Sequence, residues 1–100
     1  MAHFIVVRKR GPAWQWSLPM RQQAEWESHA AFMDALTGER VIRAGGPLGD
    51  EDIAARVLLV VEASDATAVA ARMLEDPWSP RGLLETVCIE PWTVLLGGLR

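Results

Sequence analysis

The spacing of hydrophobic positions along this chain changes several times, and each change marks an element. Residues 3–8, HFIVVR, are aromatic and β-branched, which predicts a first strand. Residues 9–19 hold Gly11, Pro12 and Pro19 and read as a loop. Pro19 suits a helix start, because the N–H it lacks would be an orphan there. Residues 20–37 take a helical period: Gln22, Glu25, Trp26, His29, Phe32, Met33 and Leu36 recur at i, i+3, i+4 and i+7. His29 falls near the middle of that stripe, and Gly38 is placed to stop the helix at C′. Residues 40–44 predict a second strand running into Gly45-Gly46-Pro47-Leu48-Gly49, and residues 50–55 a turn region. Residues 56–63, RVLLVVEA, predict a third strand. Ser64 or Asp65 then caps a second helix to about Glu75, with Val69, Ala70, Met73 and Leu74 on one face. After the breakers Pro77, Pro80 and Gly82, residues 84–96 predict a fourth strand, whose Pro91 implies an edge position or a bulge.

The order βαββαβ is the ferredoxin-like α+β arrangement, with an antiparallel sheet and both helices on one face, expected as one domain over residues 1–100. Strand three adds an expectation about assembly. Val57 to Val61 is apolar without interruption, so both sheet faces are covered there. Two helices cover one face. The simplest cover for the other is the same surface of a second copy, which predicts a homodimer with its sheets face to face.

Composition narrows the partners. Half of the residues are hydrophobic, ample for a packed core. Net charge is −3 and the chain holds one short basic triplet, Arg8-Lys9-Arg10, which argues against nucleic acid, where phosphate neutralisation supplies most of the affinity. The RNA-recognition domain shares the element order but needs stacking aromatics on its central strands, and those strands offer only Phe4. The longest apolar run, Val57 to Val61, is far below the roughly 18 residues of a membrane span. No signal-peptide layout opens the chain, since the basic triplet follows the apolar run. A single cysteine, Cys88, excludes an internal disulfide and fits a reducing, cytoplasmic setting. Five tryptophans and no tyrosine are unusual; Trp14, Trp16, Trp26, Trp78 and Trp92 suit cores, interfaces and pockets for flat ligands.

Candidate chemistry centres on His29 and Asp76. His29 reads either as a core histidine with one hydrogen bond or as half of an acid–base pair. Asp76 reads either as turn chemistry, Asp-Pro being a common turn opener, or as the other half. A carboxylate at a helix C-terminus meets the negative end of the dipole, so a positive or hydrogen-bonding partner should offset it, and a histidine would serve. Both helices share one sheet face, so the two residues can meet. The carboxylate would then fix the imidazole tautomer and leave the other nitrogen for proton transfer. Gly45-Gly46-Pro47 reads as a bulge and turn, or as backbone that approaches a ligand closely, with its N–H groups as an anion nest. It matches neither the Rossmann nor the P-loop signature. Cys88, in an apolar strand, reads as an inert thiol in preference to a nucleophile. His3, His29, Asp76 and Cys88 lack metal-ligand spacing, so no metal is expected, and no Gly-x-Ser-x-Gly motif is present.

Taken in order, the segments SHAAFMDALTGE, AGGPL, VLLVVEASD, MLEDPWSPRGL and EPW resemble the YCII-related family, the DGPF-like group of the dimeric α+β barrel superfamily. They span nearly the whole chain, from the strand-one start to Trp92. The resemblance implies a ferredoxin-like subunit pairing into a dimeric barrel, with a cavity between helices and sheet. It places the family's histidine and aspartate, an acid–base pair, on His29 and Asp76. A few relatives act on small aromatic or lactone compounds, dehalogenation included, without an organic cofactor; other branches are monooxygenases or haem-handling proteins. The tryptophan-rich PAWQWSLPM between strand one and helix one departs from the family pattern. The expectation is a cofactor-independent enzyme of lyase, isomerase or hydrolase type acting on a small, possibly aromatic, molecule. His29 and Asp76 would be catalytic, with Trp26, Trp78, Gly45, Gly46 and Pro47 shaping the pocket. The alternatives are a non-catalytic ligand-binding or accessory dimer and, third, a haem or monooxygenase-like protein.

Overall fold

The structure, a computed structural model, describes residues 1–99. Its elements run β1 (Ala2–Arg10), a 3₁₀ turn (Met20–Gln22), α1 (Trp26–Gly38), β2 (Ile42–Pro47), β3 (Arg56–Ala63), α2 (Ala66–Leu74) and β4 (Leu84–Trp92). The sheet order is β2-β3-β1-β4, with every neighbouring pair antiparallel. This is the ferredoxin-like α+β fold that the element order predicts.

The sheet face that meets the helices follows from the two-residue period of β1. Phe4, Val6, Arg8 and Arg10 alternate inward, opposite Val61, Leu59 and Val57 of β3. Leu36 of α1 and Val69 and Met73 of α2 close the main core on Phe4, Val6, Leu59 and Val61. The core therefore fills the Phe4 end of β1, while the inward positions at the other end are arginines. Ile5, Val7, Leu58 and Val60 point to the opposite sheet face. Pro91 lies on β4, an edge strand, where its missing N–H is tolerated, and the β1–β4 register shifts between Val7 and Arg8.

Several boundaries differ from the sequence expectation. The helix expected over 20–37 is split: a 3₁₀ turn precedes α1, and Glu25, just before Trp26, has φ of 59°. Gly38 is the last helical residue, not the C′ stop. Arg40 takes the left-handed position at φ of 62°, with Val41 N–H on Leu36 C=O at 2.9 Å and Arg40 N–H on Thr37 C=O at 3.0 Å, a Schellman pattern. β2 begins later than expected and continues through Gly45 to Pro47, all paired with β3. A side chain at Gly45 would come within 2.5 Å of the Leu59 Cδ2, so the buried leucine would have to shift to admit it. β4 ends at Trp92 instead of extending to 96. The cap of α2 is Asp65, whose side chain accepts from Ala68 N–H at 2.8 Å.

The loop over residues 11–19 is organised by its own small core. Trp14, Trp78, Leu83 and Leu84 are buried together, with Trp14 edge-on to Trp78 at 5.3 Å. Buried Gln23 clips this loop by accepting from Gln15 N–H at 3.0 Å and donating to the C=O of Gln15 at 2.7 Å and of Leu18 at 3.0 Å. Trp16, by contrast, is exposed. Among the described residues no helix is long and apolar enough to cross a membrane.

Candidate active site

The turn after α2 builds the acidic half of the site. Pro77 blocks helix continuation, and the Asp76 Oδ1 accepts the Trp78 backbone N–H at 2.9 Å, closing an Asx turn. The same Oδ1 lies 2.9 Å from the His29 Nδ1, and the Asp76 Oδ2 lies 3.0 Å from it. Arg8 Nη1 donates to the Asp76 Oδ2 at 2.6 Å, while Arg8 Nη2 donates to the Ser79 Oγ at 2.7 Å. The Ser79 hydroxyl in turn donates to the Met73 C=O at 2.6 Å. Asp76 and Arg8 are 0% and 1% exposed, so this ion pair is fully dry. Burial pushes the Asp76 carboxyl up. The hydrogen bonds from His29 and the Trp78 N–H, the charge of a protonated His29 and the bond from Arg8 outweigh it and hold the carboxyl below its ordinary range.

His29 sits one turn into α1, its N–H on the Glu25 C=O at 3.0 Å. Trp78 stacks on its ring with centroids 3.7 Å apart and planes within 5°. Trp78 is itself pinned, its indole N–H donating to the Ala24 C=O at 2.7 Å. The imidazole is thus fixed in plane by stacking and in rotation by the carboxylate. A neutral ring that donates its Nδ1 proton to Asp76 leaves Nε2 as the basic nitrogen, and Nε2 has no hydrogen bond to protein among the described residues.

His29 opens onto a cavity of about 260 Å³ between α1 and the sheet. Trp26, Gly45, Gly46 and Pro47 line it with His29, so these expected pocket residues share one space. Trp78 does not line it. It is 0% exposed and forms the backing of the imidazole, because its indole is consumed by the Trp14 cluster and the Ala24 bond. Asp76 likewise stands behind the ring, out of the cavity. Met20, Met33, Arg8 and Arg10 also line it, with Val57, Leu59 and Leu84, and none of these was expected as a pocket residue. The signal for the arginines was present: Arg8 and Arg10 continue the inward series Phe4, Val6 along β1.

Other candidates are poorly placed for this chemistry. A larger apolar groove of about 540 Å³ lies between α2 and β4, lined by Ala70, Leu74, Val87 and Cys88 among others. Burial and the neighbouring Glu90 push the Cys88 thiol up, away from the thiolate a nucleophile needs. No group of three His, Cys, Asp or Glu side chains able to hold a metal occurs among the described residues.

Fold and site together define a ferredoxin-like α+β protein with a dry aspartate–histidine pair at the back of a small, mostly apolar cavity. The chain belongs to the YCII-related family, whose domain matches residues 1–93. No curated protein sequence matches it. Among solved structures it is similar to 5-chloro-2-hydroxyhydroquinone dehydrochlorinase (TftG) from Burkholderia phenoliruptrix, in complex with 2,5-dihydroxybenzoquinone. The identity is 28%, over 91% of this chain and 93% of that one, with a TM-score of 0.67.

Proposed function

We propose that this protein is a small-molecule enzyme of acid–base type, with His29 as the proton-transfer group and Asp76 as the residue that orients it. The observation that carries this reading is the commitment of His29 Nδ1 to a buried carboxylate, 2.9 Å away, with the ring facing a cavity. The family and the likeness to a dehydrochlorinase support a small-molecule substrate. In the reaction, Nε2 takes a proton from an O–H or C–H of the bound molecule. The released electron pair forms a new double bond and, in an elimination, expels a leaving group such as chloride. Asp76 stabilises the imidazolium, which then returns its proton to product or to water. A 260 Å³ cavity is below the roughly 300–1,000 Å³ of drug-sized sites, so it suits a single-ring molecule better than a haem. The reading includes a homodimer, in which the sheet face bearing Val7 and Leu58 meets a second copy.

Burial favours a second reading, a non-catalytic ligand-binding dimer, since His29 is only 7% exposed. Chloride release from chlorinated hydroxyhydroquinones separates the two. Wild type turning over such a compound, with His29→Ala slower by about 10²–10⁴-fold, is the expected result. Binding without turnover, or equal rates in both proteins, would overturn the enzyme reading.

A further inference from the structure

Arg10 is a buried cation without a counter-ion. It is 8% exposed and lines the same cavity as His29. Its neighbours in sequence are accounted for: Arg8 is neutralised by Asp76, and Lys9 pairs with Glu85 at 3.6 Å. No carboxylate lies within ion-pair distance of Arg10 among the described residues. Its Nε is buried with no hydrogen bond, and Nη2 reaches only the Met20 Sδ at 3.9 Å. The guanidinium lies over Trp14, 3.9 Å from the ring centroid, so the loop tryptophan fixes its plane. No residue lining the cavity is acidic. Once Arg8 and Asp76 cancel, the cavity therefore carries one surplus positive charge in a mostly apolar setting.

Such an arrangement is costly to keep. A buried charge without a partner is strongly unfavourable, and burial alone pushes the Arg10 guanidinium toward its neutral form. Stacking on Trp14 offsets part of that cost but supplies no acceptor. A planar oxyanion would supply one, since guanidinium donors match carboxylates and phenolates in geometry and charge.

The geometry points to Arg10 as the anchor of an anionic ligand group, so that this cavity takes a compact, single-ring molecule bearing one oxyanion, a carboxylate or an ionised phenol. This deepens the acid–base reading of the same cavity and rests on it for the reaction, though the binding it predicts is independent of turnover. The oxyanion sits on Arg10, and the remainder of the ring lies toward His29 between Trp26 and the Gly45–Pro47 backbone.

The test is calorimetric, on the full chain, with two matched pairs of probes: benzoate against benzamide, and 4-nitrophenolate against 4-nitroanisole. Each pair keeps a similar shape and changes the charge. In wild type the anion of at least one pair is expected to bind about 10- to 100-fold more tightly than its neutral partner. The pair with the larger ratio identifies the carboxylate or the phenolate as the preferred group. Arg10→Met is expected to abolish the preference while melting at or above the wild-type temperature, because it removes a desolvated charge. Arg10→Lys is expected to keep part of it. His29→Gln is expected to keep it too, which separates this inference from the acid–base reading: turnover can fail while the preference stands. Equal affinities within both pairs, no binding by any probe, a preference that survives Arg10→Met, or an Arg10→Met protein that melts lower would overturn the inference.

Discussion

At the scale of single residues, the stability of the site rests on Asp76. Its two oxygens accept from a backbone N–H, an imidazole and a guanidinium, all removed from water. Deleting one partner of a buried ion pair leaves the other uncompensated, so Arg8→Met and Asp76→Asn are each expected to cost about 3–5 kcal/mol. The double variant should cost clearly less than the sum, since it removes both charges, and urea denaturation of the four proteins checks this. The pH dependence has a defined sign. The Asp76 carboxyl is held below its ordinary range in the folded state, so its contribution is complete above the unfolded value of about 4. It is lost as pH falls through the folded value. Wild type should therefore melt progressively lower on acidification below about pH 4, and Asp76→Asn should lack that part of the loss. A midpoint profile of the same slope in both proteins would exclude Asp76 as its source. The residues of this network were unequally visible in the sequence. His29 stood out as a polar interruption of an apolar stripe, and Asp76 as an acid at the wrong end of a helix dipole. Arg8 and Arg10 were masked by Lys9, because three adjacent basic residues resemble a solvated run. The two-residue period does carry them inward after Phe4 and Val6, but Arg10 lies beyond residue 8, where the expected strand ended, and β1 in fact runs to Arg10.

At the scale of elements, hydrophobic period identified each strand and helix, whereas the ends were decided by backbone conformations that composition does not announce. Glu25 adopts φ of 59° without being glycine, and this divides the segment 20–37 that read as one helix. The i, i+3, i+4 positions ahead of the break, Gln22 and Glu25, are polar, and the apolar part of the stripe begins at Trp26, where α1 begins. Arg40 is the second such residue, at φ of 62°, and it closes the Schellman pattern after α1 two residues beyond the glycine expected to do so. A left-handed non-glycine residue carries steric strain of about 1–2 kcal/mol. Arg40 is exposed and no ion pair involves it among the described residues, so Arg40→Gly relieves the strain without losing a contact. Glycine also enlarges the entropy of the unfolded chain, which takes back part of the gain. The expected net effect is a stabilisation of about 0.5–1 kcal/mol, seen as a higher urea midpoint at unchanged slope. The reciprocal change at the position first expected to stop the helix, Gly38→Ala, should also stabilise. Gly38 is the last residue of α1, and a Cβ there meets nothing within 4 Å.

At the scale of the whole molecule, the sheet has one finished face and one open one. The helices, the core and the cavity all lie on the face of Phe4, Val6, Arg8 and Arg10. Val7 and Leu58, cross-strand partners on the opposite face, remain partly accessible, with Ile5 beside them. The proposed dimer covers this face with its own copy, and in a two-fold interface a substitution enters twice. Replacing Leu58 by Glu places one carboxylate from each copy in the contact. Desolvating a polar group costs about 1–3 kcal/mol by mutational measures, so two copies raise the dissociation constant by roughly 30- to 10⁴-fold. Wild type is expected to sediment as a dimer at micromolar concentration, and Leu58→Glu as a monomer with an unchanged far-ultraviolet dichroism spectrum. The cavity lies on the other side of the sheet, behind β1 and β3, so the monomeric variant should keep the benzoate or nitrophenolate preference of wild type within about 3-fold, the scatter expected when a distant contact is lost. A wild-type monomer would leave the second face of β3 uncovered. The unbroken apolar run Val57 to Val61 would then need an explanation other than burial on both sides.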